Sequence, residues 1–222
     1  MNQHPGVIGR KLGMTQVFSE DGSVIACTVV ESKPVVVSKR TKEKDGYDAL
    51  VLGLEERSER HTNKPLTGFY KKVNTSPKET LRELRCSAEF AAGFELGQEV
   101  KLEQIFEVGQ FVDVQGVTRG HGFSGVVVRH NFAGNVNTHG THEYRRHGGS
   151  IGTRMTPGRV KLGMKMPGQH GNKTFSVMNQ KVVKIVPEQN LLLIHGGVPG
   201  SRDSIVVVRG AVRRRGGKPA AK

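Results

Sequence analysis

The chain has 222 residues, and its 34 Arg and Lys against 20 Asp and Glu give a net charge of +14. That length supports one sizeable core and little more, and that charge asks for an acidic partner, nucleic acid before anionic membrane. Two cysteines without paired spacing, Cys27 and Cys86, exclude a disulfide framework and a cysteine-rich metal site, and no apolar run approaches the length of a membrane span.

In chain order, the opening MNQHPGVIGRKLG lacks the apolar core of a secretion signal, so a reducing, cytoplasmic setting is expected. Short runs rich in β-branched residues predict strands at 14–18, 24–30, 35–40 and 47–54, with Cys27 as a small buried hydrophobe. Asp21-Gly22 is a hairpin signal between the first two. From about 55 to 95 the pattern turns mixed and charged, which predicts a small α+β insertion with a short helix at 64–73. Ser76-Pro77-Lys78-Glu79 fits a helical capping box, but 81–86 fits an edge strand equally, and both readings stay open. Strand character returns at 99–102 and 110–117. It resumes at 175–177, 181–186, 191–195 and 204–209, with Pro187-Glu188-Gln189-Asn190 as a hairpin turn. Short strands, Gly and Pro turns and almost no long helix predict a mainly β chain built on a closed or nearly closed antiparallel barrel. Its strands come from 1–117 and 174–212, a basic finger spans 118–173, and a disordered basic tail is expected over 213–222.

The charge is uneven. Residues 1–117 hold 16 Arg and Lys against 17 acids, and residues 118–222 hold 18 against 3. The first half therefore reads as an ordinary soluble surface. Within 118–173 there are nine Arg and Lys and one acid, Glu143, glycine recurs every few residues, and no apolar period continues beyond Val128. Such a segment buries too little to offset its ordering entropy, and phosphates are what would order it. Its glycines let the backbone approach a crowded partner and donate N–H groups to phosphate oxygens.

Three phosphate-loop patterns fail on context. Gly120-His121-Gly122-Phe123-Ser124-Gly125 matches a dinucleotide fingerprint, but Val126-Val127-Val128 behind it reads as strand where a helix is required. A kinase loop over the same glycines lacks the downstream metal-holding carboxylates, since Asp203 is the only Asp after Asp113. The Lys in Gly168-Gln169-His170-Gly171-Asn172-Lys173-Thr174 does not follow the second Gly. His121, His130, His139, His142, His147 and His170 have no nearby cysteine and no regular element to fix a zinc spacing. Ser124 and Ser150 have no base and orienter, so no catalysis is expected.

The stretch FEVGQFVDVQGVTRGHGFSGVVVR from Phe106 holds Asp113, Gly116, Thr118, Gly120-His121-Gly122, Gly125 and Arg129 at the spacings of a known signature. It resembles the bacterial type of the large-subunit ribosomal protein L3 family. GRKLGMTQVFSEDG resembles that family's N-terminal strand, HGGSIGTRMTPGRVKLGMKMPGQHGN its bacterial extension, and LLLIHGGVPGSRDSIVVVR its C-terminal barrel strands. The resemblance implies a six-stranded translation-protein-type β-barrel with a small α+β insertion and a long basic Gly-rich extension. It implies direct binding to 23S rRNA near the 3′ end, help in nucleating 50S assembly, and an extension reaching toward the peptidyl transferase centre. Neighbouring large-subunit ribosomal proteins are implied partners; no cofactor, metal, membrane or small-molecule substrate is. Candidate rRNA-binding residues are Arg119, His121, Arg129, His130, His142, Arg145, Arg146, His147, Arg154, Arg159, Lys161, Lys165, His170, Lys173, Arg213, Arg214 and Arg215. With few aromatics among them, phosphate contacts and shape are expected to dominate. The alternative reading is a non-ribosomal basic nucleic-acid-binding protein.

Overall fold

A computed structural model describes residues 5–19 and 21–213. The β-branched runs form strands β1 (Gly6–Phe18), β2 (Val24–Glu31), β3 (Val35–Arg40), β4 (Ala49–Glu56), β5 (Lys78–Arg85) and β6 (Phe111–Val117). Then follow β7 (Phe123–Ser124), β8 (Gly168–Gln169), β9 (Thr174–Val186), β10 (Leu191–His195) and β11 (Ile205–Gly210). The helices are short: α1 (Lys42–Asp45), α2 (Lys64–Val73), α3 (Ala88–Ala92) and α4 (Val126–His130). The fold is mainly β, and among the described residues no helix is long and apolar enough to cross a membrane.

Six strands close on themselves in the order β1–β11–β6–β9–β10–β2, every neighbouring pair antiparallel. Val7, Ile8, Val30, Val112, Val114, Val182, Leu192, Ile194, Val206 and Val208 are fully buried in its core. The barrel turns where glycine allows it. A Cβ on Gly9 would lie 2.6 Å from both the Glu31 carbonyl oxygen and Val30 Cγ1, so β1 can meet β2 this closely only with a bare backbone. A bulge between Lys11 and Gly13 then redirects β1 along β2. A second bulge, between Val112 and Val114, frees the Asp113 carboxylate to accept from the Asn179 N–H at 2.8 Å and the Val212 N–H at 3.1 Å. The hydroxyls of the fully buried Ser32 and Thr28 are satisfied as well: Ser32 donates to the Ile8 carbonyl at 2.6 Å and Thr28 to the Gly196 carbonyl at 2.7 Å. Both cysteines are buried and free, and burial pushes the Cys86 thiol up to about 11.

Several expectations need correcting. β1 begins at Gly6 rather than at residue 14, because three glycines and two cations in its first eight residues mask the strand pattern. The insertion is wider than 55–95: β3 and β4 leave the barrel and pair with β5 in a separate three-stranded sheet. Residues 78–85 adopt the edge-strand reading, pairing with β4 alone. Residues 99–102 form only one isolated bridge, Glu99 to Val35, before a 3₁₀ turn at Leu102–Gln104. The segments 175–177 and 181–186 are one strand, β9, which carries Asn179 in the left-handed region at φ 56°.

The chain divides into two compact units, Thr118–Lys173 and the residues on either side of it.

Candidate nucleic-acid interface

Thr118–Lys173 starts and ends in a narrow ladder. The Thr118 N–H donates to the Lys173 carbonyl, the His121 N–H to the His170 carbonyl and the His170 N–H to the Gly122 carbonyl, each at 2.9 Å. β7 and β8 continue it, with Phe123 opposite Gln169 and Ser124 opposite Gly168. The imidazoles of His121 and His170 face each other at 4.9 Å between ring centres. Gly171, at φ 69°, leaves no room for a Cβ against the Arg119 carbonyl, so the limbs can run this close only with glycine there.

Beyond the ladder the three valines that predict a strand instead open α4. This single turn puts Val126, Arg129 and His130 on one face, since residues three and four apart share a helix face. Val126 is buried beneath Gly148. Arg129 Nη1 donates to the Met166 carbonyl at 2.7 Å, and His130 Nε2 lies 3.1 Å from the same oxygen. Asn131 ends the turn in the left-handed region, with its N–H on the Val126 carbonyl. The helix behind the glycine pattern thus exists, contrary to expectation. The dinucleotide reading still fails, because every strand ladder among the described residues is antiparallel and a parallel βαβ unit is required.

Farther out, the 3₁₀ turn His142–Arg146 packs on the chain before it. The Asn135 N–H donates to the Arg145 carbonyl at 3.0 Å, the Asn135 amide to the Tyr144 carbonyl at 2.8 Å, and Arg145 Nε to the His142 carbonyl at 3.1 Å. Arg119, His121, His142, Arg145, Arg146, His147, Arg154, Arg159, Lys161, Lys165 and Lys173 are exposed. Arg129, His130 and His170 are half-buried, the first two spent on bracing the unit through Met166. Arg213 is exposed just past β11, while Arg214 and Arg215 lie outside the described residues.

The electrostatics are one-sided. Every ion pair among the described residues lies in the barrel-bearing unit, so none of the nine cations of Thr118–Lys173 is neutralised by a carboxylate. Among the described residues no group of three or more His, Cys, Asp or Glu is placed to hold a metal ion. Two groups outside the candidate set share the surface: Phe123 is 80% and Tyr144 64% exposed. Their sequence signal was available, since each is an aromatic residue with no apolar period around it. The Met166 carbonyl is a backbone atom and had none.

The chain thus holds a closed barrel and, as a distinct unit, a run of nine cations without a carboxylate partner among the described residues. A family model described as Ribosomal protein L3 matches residues 85–190. The chain is 61% identical over 218 residues to "Large ribosomal subunit protein uL3" of Sorangium cellulosum, covering 98% of this chain and 94% of that one. Proteins of the same name are similar at 49% over 210 residues in Fusobacterium nucleatum (94% and 98% covered) and 46% over 214 residues in Brachyspira hyodysenteriae (96% and 97%). The chain belongs to the ribosomal protein L3 family.

Proposed function

We propose that this chain is a structural constituent of the large ribosomal subunit, working in the cytoplasm, that binds 23S rRNA through Thr118–Lys173 and performs no catalysis. The observation that carries the reading is the nine cations of that unit with no carboxylate partner among the described residues. Phosphates are the ligands that neutralise such a surface, releasing counterions as they do so. The exposed arginines, lysines and histidines then act as phosphate and sugar contacts. Arg129 and His130 keep the unit in shape, and Phe123 and Tyr144 offer faces on which unpaired bases stack. The barrel is of the translation-protein type. Family resemblance supports binding near the 3′ end of the rRNA, a part in starting 50S assembly, a reach toward the peptidyl transferase centre and contacts with neighbouring ribosomal proteins.

Co-sedimentation of the full chain with large subunits across a salt series tests this. Wild type should pellet with the subunit at moderate salt, and R145A/R146A should release at lower salt. K42A/K44A, in the charge-balanced half beside Glu43 and Asp45, should behave as wild type. A wild-type chain that stays in the supernatant, while binding unrelated nucleic acid equally well, would select the non-ribosomal alternative.

A further inference from the structure

We infer that the exposed face of α2 is a second phosphate-binding surface for folded RNA, outside Thr118–Lys173; the inference rests on the rRNA-binding reading above. At 100° per residue, Lys64, Gly68, Lys71 and Lys72 share one side of this helix, while Phe69, Tyr70 and Val73 share the other. The apolar side is anchored by Tyr70, which is 2% exposed, and the lysine side is open to solvent. The strip is about 12 Å long.

The charge around α2 departs from that of its surroundings. Residues 57–78 hold six Arg and Lys and one acid, Glu59, a net of +5, whereas the remainder of 1–117 has ten against sixteen. Within 57–78 Lys78 pairs with Glu56 at 3.5 Å, and elsewhere in this unit Arg10 pairs with Glu55, Lys33 with Glu31, and Arg40 with Asp45 and Glu83, at 2.5–3.5 Å. Lys64, Lys71 and Lys72 pair with no carboxylate among the described residues.

Gly68 supplies the independent observation. Only proline is a poorer interior helix residue than glycine, yet Gly68 sits in the middle of the exposed face. Its φ is not positive, and a Cβ built there meets nothing within 4 Å. Nothing inside the chain requires glycine at this position. A bare backbone among three lysines is what lets a partner come close enough to touch the helix itself. Protein interfaces are depleted in lysine and anchored by apolar or aromatic side chains, and this face has three lysines and no such anchor. A sugar–phosphate backbone fits it.

The test measures binding of the full chain to a 23S rRNA transcript over a salt series, with thermal melts in parallel. K64A/K71A/K72A keeps a helix-favouring composition and should lower the slope of log affinity against log salt by roughly two to three. G68Q should raise the melting temperature while weakening binding several-fold, a combination that misfolding does not produce. A wild-type slope in the triple variant, or wild-type affinity in G68Q, would overturn the proposal. If the slope is unchanged but the triple variant no longer co-sediments with intact subunits, the face belongs to a protein neighbour and the RNA assignment falls. R145A/R146A separates this failure from that of the broader reading, which falls only if that pair also leaves binding untouched.

Discussion

Met155 is 81% exposed in the turn that runs from Thr153 to Gly158. The resemblance to the family's bacterial extension implies that many relatives carry a glutamine just before the Thr-Pro-Gly turn, whose side-chain amide a dedicated methyltransferase modifies. A thioether offers no amide nitrogen and only a weak acceptor, so the modification has no substrate at this position. Gln169, the one glutamine of Thr118–Lys173, is held in β8 opposite Phe123, in a different setting from the turn. Peptide mass spectrometry of the native protein should therefore find no methylated glutamine in this unit, and a methyl group on Gln169 would refute the claim. Residue by residue, the candidate site was legible where a side chain acts alone: an arginine far from any acid is exposed and unneutralised. Arg129 and His130 were not legible as braces, because their partner is a backbone carbonyl. The lysines of α2 were hidden by averaging, since a patch of +5 vanishes inside 117 residues of near-zero charge.

At the scale of elements, the glycines of β1 decide how the barrel closes. Gly9→Ala forces a Cβ against the Glu31 carbonyl and Val30, and should destabilise the protein by about 1–3 kcal/mol, as overpacking typically does. Gly13→Ala is the matched control, because a Cβ there meets nothing within 4 Å. Thermal or denaturant melts should separate the two, and equal midpoints would mean that β1 has slack to yield. The elements most readily found from sequence were those whose propensity and packing agree, such as β10 with its run of leucines and isoleucine. Propensity located β3 and β4 but could not say which sheet they join, because partner choice is set by distant strands. The valines of α4 point to a strand in the sequence for a related reason. Their preference for strand is weak, and burying Val126 while aiming Arg129 and His130 at Met166 outweighs it.

The molecule as a whole combines a well-buried barrel with a unit in which Val126 is the single buried side chain among the described residues. Local stability follows buried contacts, so the two units should open at different rates. In hydrogen exchange on the free protein, amides of β1, β9, β10 and β11 should be protected and those of 129–173 should exchange quickly; adding rRNA should slow the latter. Strong protection across 145–165 without RNA would contradict this.

The seam between β1 and β11 also bears on how the chain is made. In chain order β1 precedes every other strand of the barrel, yet one of its edges is covered only by Ile205–Gly210, the last of them. Until that strand emerges, β1 and β6 each present an open row of backbone N–H and C=O groups. The nascent chain therefore cannot complete its barrel vectorially, strand by strand. It must shelter two unpaired edges until Ile205–Gly210 has been translated.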